Sequence, residues 1–210
     1  GMPLMLHVEG TIAVALRLRG TKVQAVICDG PFRACMRREI SNNIPFERWR
    51  DACPNCIAQT SAVLDCMGIP YSFIGDFVSE SSRAELWEMT ASITKETLDN
   101  LCHEGINVGK NTLSSILRYL KGNDLVGHEV IVREYAFSAL VIAAAAGRAI
   151  KTISPSHFFT SHGVYVDWGP ALQIALSRKI PVTTWMASYL PWHFYFRHIE
   201  DGTRPDCHNL

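Results

Sequence analysis

A chain of 210 residues whose 20 Lys and Arg balance 20 Asp and Glu carries no net field to gather a nucleic acid or an acidic membrane surface. An apolar fraction of 48% and a charged fraction of 19% are those of an ordinary globular domain, which sets aside collagen-like, low-complexity and disordered classes. Seven cysteines with no secretory leader argue for reduced thiols or a metal before disulfides, in a protein that is cytoplasmic or peripheral to the inner face of the membrane.

Residues 4–8 suggest a very short strand, and residues 11–19 a helix, because Ile12, Ala15, Leu16 and Arg19 recur at three and four. Gly20 stops that helix, and the β-branched run 23–28 reads as a strand. In a doubly wound sheet this β-α-β opening places Cys28-Asp29-Gly30 at the carboxyl edge, where ligands bind. A polar, loop-like stretch holding Arg37-Arg38-Glu39 leads to Cys53, where Pro54 suits the first turn of a helix that runs to about Cys66 and ends at Gly68. Residues 69–74 read as another strand. Residues 79–101 form a long amphipathic stretch with Ser79 or Ser81 as N-cap and Gly105 as its end.

The segment 105–112 reads as a loop entering a helix at 113–120, and Gly122-Asn123-Asp124 as a turn. From Glu129 to about Ile153 the pattern is helical and Ala-rich, with an apolar run at 136–146 too short to cross a bilayer unaided. After Pro155 a short strand ends at His162-Gly163. Asp167 can cap a helix that takes Pro170 in its first turn and closes near Lys179, and 180–185 forms the next parallel strand. Beyond Trp185 the text is irregular and aromatic, and 201–210 reads as a tail or linker at a cut between domains. The whole predicts an α/β, Rossmann-like three-layer αβα domain with a mostly parallel sheet over residues 1–200.

His162 is the leading functional candidate, as general base toward an acceptor hydroxyl or as hydrogen-bond donor to a diphosphate oxygen. The plainer alternative is a strand-end histidine bonded to a neighbouring carbonyl. Gly163 lets the backbone turn or approach a ligand. Tyr165, Trp168, Trp185 and Tyr189 can floor a sugar ring, although aromatics near strand ends more often simply pack. Asp29 before Gly30 is a weaker base candidate, with turn formation as the alternative.

Cys53-Pro54-Asn55-Cys56 is half of a zinc-site spacing, and Cys28 and Cys35 complete a candidate tetrathiolate for a structural zinc. Free, partly buried cysteines are the simpler reading. An iron–sulfur cluster needs the same ligands, and a redox dithiol lacks its usual surrounding motif. Gly105 and Gly109 stand too close together for a Walker phosphate loop.

The segments Ala15-Leu16-Arg17-Leu18-Arg19-Gly20, Cys28-Asp29-Gly30, Gly105-Ile106-Asn107-Val108-Gly109, Leu117-Arg118-Tyr119 and His162-Gly163-Val164-Tyr165-Val166-Asp167-Trp168-Gly169-Pro170, with Val182-Thr183-Thr184-Trp185 and Tyr189, resemble bacterial capsule and surface-polysaccharide biosynthesis proteins of the two-lobed GT-B glycosyltransferase type. The resemblance spans most of the chain and is most specific from His162 to Trp185. It implies the N-terminal, acceptor-side half of such an enzyme. Sugar would pass from a nucleotide-sugar donor, held mainly by a separate C-terminal lobe, to a carbohydrate or lipid-linked acceptor. Family members begin with a fuller first strand and a glycine-rich turn, which residues 4–10 do not supply. Two other functions suit the same architecture: a non-catalytic metal- or carbohydrate-binding module, and a nucleotide-sugar epimerase or hydrolase.

Overall fold

The structure is a computed structural model that describes residues 3–40, 46–122 and 124–200; the expected tail at 201–210 and Asn123 of the expected turn lie outside them. The architecture is α/β. Its described strands pair into three small sheets rather than one: β1 with β2, β3 with β4, and β5-β6-β7. The chain divides into two compact units, Gly1–Pro31 with Met36–Ser79, and Phe32–Cys35 with Glu80–Leu210.

In the first unit, α1 (Pro3–Leu18) absorbs the segment 4–8 expected as a strand. Gly10 is no turn. It is buried, and a Cβ there would stand 2.5 Å from the Met67 sulfur, so the glycine is a point of close approach inside one continuous helix. The helix ends as expected at Gly20 (φ +87°), with Gly20 N–H on Arg17 O and Thr21 N–H on Leu16 O, the paired bonds of a Schellman stop. Strand β1 (Ala25–Ile27) pairs in parallel with β2 (Tyr71–Phe73), Ala25 opposite Tyr71 and Ile27 opposite Phe73. The polar stretch between β1 and Cys53 holds α2 (Met36–Ile40) and a 3-10 turn, Phe46–Ala52. Helix α3 (Cys53–Cys66) takes Pro54 in its first turn, as the sequence suggests. It closes on Gly68 (φ +62°), whose N–H bonds Asp65 O while Ile69 N–H bonds Leu64 O.

The second unit is built on α7 (Glu129–Ile153), the helix its composition predicts. Its middle is buried on every side, from Tyr135 through Ala145. At 25 residues it is long and apolar enough to cross a membrane, but 78% of its most apolar window is buried inside the structure, as in a core helix. It ends where Ser154 takes a left-handed conformation (φ 50°) ahead of Pro155. Ser138, the polar break in the apolar run, donates to Glu134 O and accepts the backbone N–H groups of Arg33 and Ala34, which binds the 32–35 segment to this unit.

The stretch expected as one helix over 79–101 is two, α4 (Glu80–Met89) and α5 (Lys95–Leu98). Between them the Thr- and Ser-rich residues 90–94 bond back to the chain: Thr90 Oγ1 donates to Trp87 O, and Thr94 N–H bonds Thr97 Oγ1. Gly105 does not end a helix. With Glu104 (φ 49°) it forms the two-residue turn between β3 (Cys102–His103) and β4 (Ile106–Asn107), both turn residues at positive φ as a type I′ hairpin requires. Helix α6 (Gly109–Tyr119) follows, starting earlier than expected.

Then come β5 (Phe158–Ser161), α8 (Gly169–Ser177) and β6 (Val182–Ala187), with β5 and β6 parallel as expected. The aromatic segment after Trp185 is not irregular: β7 (Phe194–Ile199) pairs antiparallel with β6. One hydroxyl ties these strands together. Thr183 Oγ1 lies 2.9 Å from His157 Nε2 and 3.0 Å from His198 Nδ1, and the two imidazoles stack with centroids 5.1 Å apart.

The β3–β4 turn is fastened to α7 and α8 at Gly147. A Cβ there would clash with the Glu104 carboxylate, 2.1 Å away, and Arg178 joins Gly147 O (2.6 Å) to Glu104 Oε2 (3.1 Å). Arg178→Ala should therefore cost about 1–2 kcal/mol, the range for a half-exposed charge-assisted bond to a backbone carbonyl. Thermal unfolding followed by circular dichroism should show a midpoint about 3–6 °C lower; an unchanged midpoint would show that this fastening carries no stability.

Candidate functional site

The segment leaving β5 turns inward, and the sequence compels it. Gly163 adopts φ +72°, and a Cβ there would lie 2.1 Å from Leu172 Cδ2. Gly169 is equally confined, its absent Cβ falling 2.0 Å from Asn111 Nδ2 and 2.7 Å from Gly163 O. A buried turn of this kind exposes carbonyls to a dry interior, and α6 supplies their partners. Asn111, 1% exposed, donates through Nδ2 to Gly163 O (3.0 Å) and Val164 O (2.7 Å) while its Oδ1 accepts from Gln173 Nε2. Ser115 Oγ, also buried, accepts the N–H of Val166 at 2.9 Å. Arg118, one helical turn further along, sets its guanidinium 4.6 Å from the centre of the Tyr165 ring.

This clamp positions His162. Its ring stands edge-on to Tyr165 (5.3 Å, 87°) and to Trp168 (5.1 Å, 73°), within aromatic contact distance of both. Val164 N–H donates to Nδ1 at 3.1 Å. In the neutral ring that bond uses the Nδ1 lone pair, so the proton sits on Nε2, which has no hydrogen-bond partner among the described residues. Burial, and after it the Arg118 cation, hold the His162 pKa below its ordinary value of 6.5. The group is thus neutral at pH 7 and presents an N–H donor. Just before it, the Ser161 hydroxyl is buried and unpartnered among the described residues.

The first turn of α8 offers an anion little. Gly169 N–H is used on Tyr165 O (2.7 Å), and Pro170 has no N–H. The N-cap position belongs to Trp168, not to Asp167, and no side chain caps it, because the turn closed on Tyr165 O shifts the helix start past the aspartate.

The remaining candidates divide. Trp185 is 2% exposed, opposite Ser161 in the β5–β6 register and edge-on to Phe194 at 5.7 Å, so it serves the core rather than an open floor. Tyr189, 86% exposed, lies in the β6–β7 turn and shares no ring contact with His162, Tyr165 or Trp168 among the described residues.

Asp29 and Gly30 follow β1 in the first unit, and β1 and β5 belong to separate sheets, so the single rim expected of one sheet is absent among the described strands. The Asp29 carboxylate is already engaged. Oδ1 accepts Gly75 N–H at 3.0 Å, and a Cβ on Gly75 would fall 2.1 Å from Oδ2, so it ties the carboxyl ends of β1 and β2. Gly30 (φ +89°) makes the tight turn, its N–H on Cys28 Sγ at 3.2 Å.

Of the four thiols considered for zinc, Cys28, Cys53 and Cys56 lie in the first unit and Cys35 in the second. Among the described residues no group of three or more His, Cys, Asp or Glu side chains is placed to hold a metal ion.

Asn111 and Ser115 are not singled out by the sequence, and Arg118 reads there most simply as a solvated or ion-paired surface residue, although their spacing of four and three on one helix face is a polar stripe that could have drawn notice. Comparison with protein-family models, with curated proteins and with solved structures finds no match to this chain.

Two measurements check this geometry. Asn111→Ala leaves one buried and one part-buried carbonyl and an amide without the partner it had, so it should lose about 2–4 kcal/mol in urea unfolding; a loss under about 1 kcal/mol would deny the clamp. For His162, a depressed folded pKa means the unfolded chain binds the extra proton. Its contribution to stability is complete above pH 6.5 and is lost as pH falls through the folded value. Titration followed by NMR should place His162 below 6.5, and Arg118→Ala should raise it without reaching 6.5, because burial is the larger cause. A pKa unmoved by Arg118→Ala would remove the guanidinium from the site.

Proposed function

We propose that this chain is the acceptor-side lobe of a glycosyltransferase that moves a sugar from a nucleotide-sugar to a carbohydrate or lipid-linked acceptor in surface-polysaccharide synthesis. On this reading the β1-α3-β2 and β5-α8-β6 units are pieces of a Rossmann-like three-layer fold, and a separate lobe binds most of the donor. The observation that carries the proposal is the unused Nε2–H of His162 at the carboxyl end of β5, beside Tyr165, Trp168 and the Arg118 cation. Two aromatic rings and a neutral donor suit a sugar, whose C–H groups pack on ring faces and whose oxygens need fixed donors. Arg118 adds the charge a diphosphate would meet, which the first turn of α8 does not provide.

The role assigned to His162 is donor rather than base. Accepting a proton at Nε2 would require the ring proton to move to Nδ1 and break the bond from Val164 N–H. A neutral donor aimed at a developing negative oxygen stabilises that charge without having to reorient.

Calorimetric titration with nucleotide-sugars and with glycan or lipid-diphosphate acceptors tests the proposal. Binding of an acceptor should weaken about tenfold or more in His162→Ala, the effect of losing a hydrogen bond to a charged oxygen, and largely persist in His162→Gln, which keeps an N–H donor. If no such ligand binds, or if His162→Ala binds as tightly as its parent, the assignment fails.

A further inference from the structure

The sugar-transfer reading leaves the cysteines of the first unit unused. We propose that Cys53 and Cys56 form a dithiol–disulfide exchange site at the amino end of α3. The two residues open a 14-residue helix at a spacing of three. That spacing brings side chains to about 5–6 Å between Cβ atoms on one helix face. The Cα atoms of such a pair fall within the roughly 4.4–6.8 Å span of a disulfide, and closing the bond draws the Cβ atoms in to about 3.5–4.5 Å through a small adjustment of the first helical turn. Both residues are half-buried, open enough for a partner sulfur to reach.

The surroundings treat the two thiols differently, and Cys56 is the one held toward the thiolate that exchange requires. The positive end of a helix lies under the pair. Burial raises the Cys53 thiol and outweighs Arg50 beside it, whereas Cys56, with Arg37 among the groups bonded to it, is held below its ordinary value against the same effect of burial, so Cys56 is the attacking sulfur. The helix is the crossover between parallel strands β1 and β2, and its first turn faces the carboxyl end of β1: a Cβ on Gly30 would stand 3.9 Å from Cys53 Cβ. The sequence around the pair lacks the usual redox motif, and it is this β-α-β setting that supplies a context in which a C-x-x-C pair reads as a redox site. Cys28 sits at the same edge, its sulfur receiving Gly30 N–H.

The chemistry balances with a small-molecule or peptide disulfide as oxidant. One thiolate of the pair attacks a sulfur of that disulfide, its S–S bond breaks, and the first partner sulfur leaves as a thiolate. The second cysteine then attacks the protein sulfur of the mixed disulfide and expels the other partner thiolate. The products are a Cys53–Cys56 disulfide and two partner thiols, which carry away the two protons; two electrons pass from the protein to the oxidant.

The test equilibrates the reduced protein with glutathione and glutathione disulfide at pH 7, quenches with acid, alkylates and maps cysteines by mass. Cys66 and Cys102, both exposed, serve as internal references. The pair should react about tenfold or more faster than these two and end as an intramolecular disulfide two hydrogens lighter, without a lasting glutathione adduct. Cys56→Ser and Cys53→Ser should each trap an adduct on the remaining cysteine, and Cys28→Ser should leave the exchange unchanged. Reaction no faster than the references, separate adducts on both cysteines, or equimolar zinc that blocks alkylation of the pair would overturn the proposal. Sugar binding plays no part in these readouts, so the two assignments fail independently.

Discussion

The site in the second unit depends on one buried amide. The turn leaving β5 buries the carbonyl of Gly163 and partly buries that of Val164, and a buried carbonyl without a partner costs on the order of 1–3 kcal/mol. Asn111 meets both with one NH2 group and closes its own acceptor on Gln173. The two glycines follow from that choice. Gly163 must pass under Leu172, and Gly169 must leave room for the Asn111 amide. Once the turn is held so tightly, His162 has little freedom, and Val164 N–H fixes which of its nitrogens is spent.

That constraint also decides the electrostatics. An imidazole that is partly buried, wedged between Tyr165 and Trp168 and near the Arg118 cation is disfavoured as imidazolium. Neutrality at pH 7 is therefore a property of the packing rather than an accident of one neighbour. Positive charge comes from Arg118, which cannot deprotonate, and directional hydrogen bonding comes from His162, which is already neutral. Separating charge from donor in this way keeps both functions constant across the physiological pH range.

Much of the frame was legible in the sequence where local rules act alone. Pro54 and Gly68 bound α3, Gly20 stops α1, Pro155 follows α7, and the order from β5 through α8 to β6 is written in the strand, Pro170 and strand pattern. Tertiary contacts overrode the rest. Residues 4–8 look like a short strand and belong to a helix in which Gly10 seats Met67; Gly105 looks like a helix stop and is part of a hairpin turn flanked by strands too short to show a period. Strand β7 was hidden because Tyr195, Phe196, Arg197 and His198 are all exposed, which erases the alternation that marks a half-buried strand. The members of the site were legible only in part. His162, Tyr165 and Trp168 lie close in sequence, whereas the amide and cation that complete the site come from a helix about fifty residues earlier, and no pattern within either segment announces the pairing.

The two carboxyl edges show what separates a scaffold residue from a candidate site residue. After β1, Asp29 has the chemical character of a base, yet its carboxylate is committed to Gly75 N–H and holds two strand ends together. After β5, His162 has spent one nitrogen on the backbone and kept the other, and Ser161 beside it is buried with its hydroxyl unengaged among the described residues. A group whose hydrogen-bonding capacity is exhausted by its own fold can bind a ligand only by giving up stability. A group held in place by one bond with a second atom unspent can bind at no such cost. That asymmetry, rather than residue type or position at a strand end, makes the β5 edge, and not the β1 edge, the candidate site.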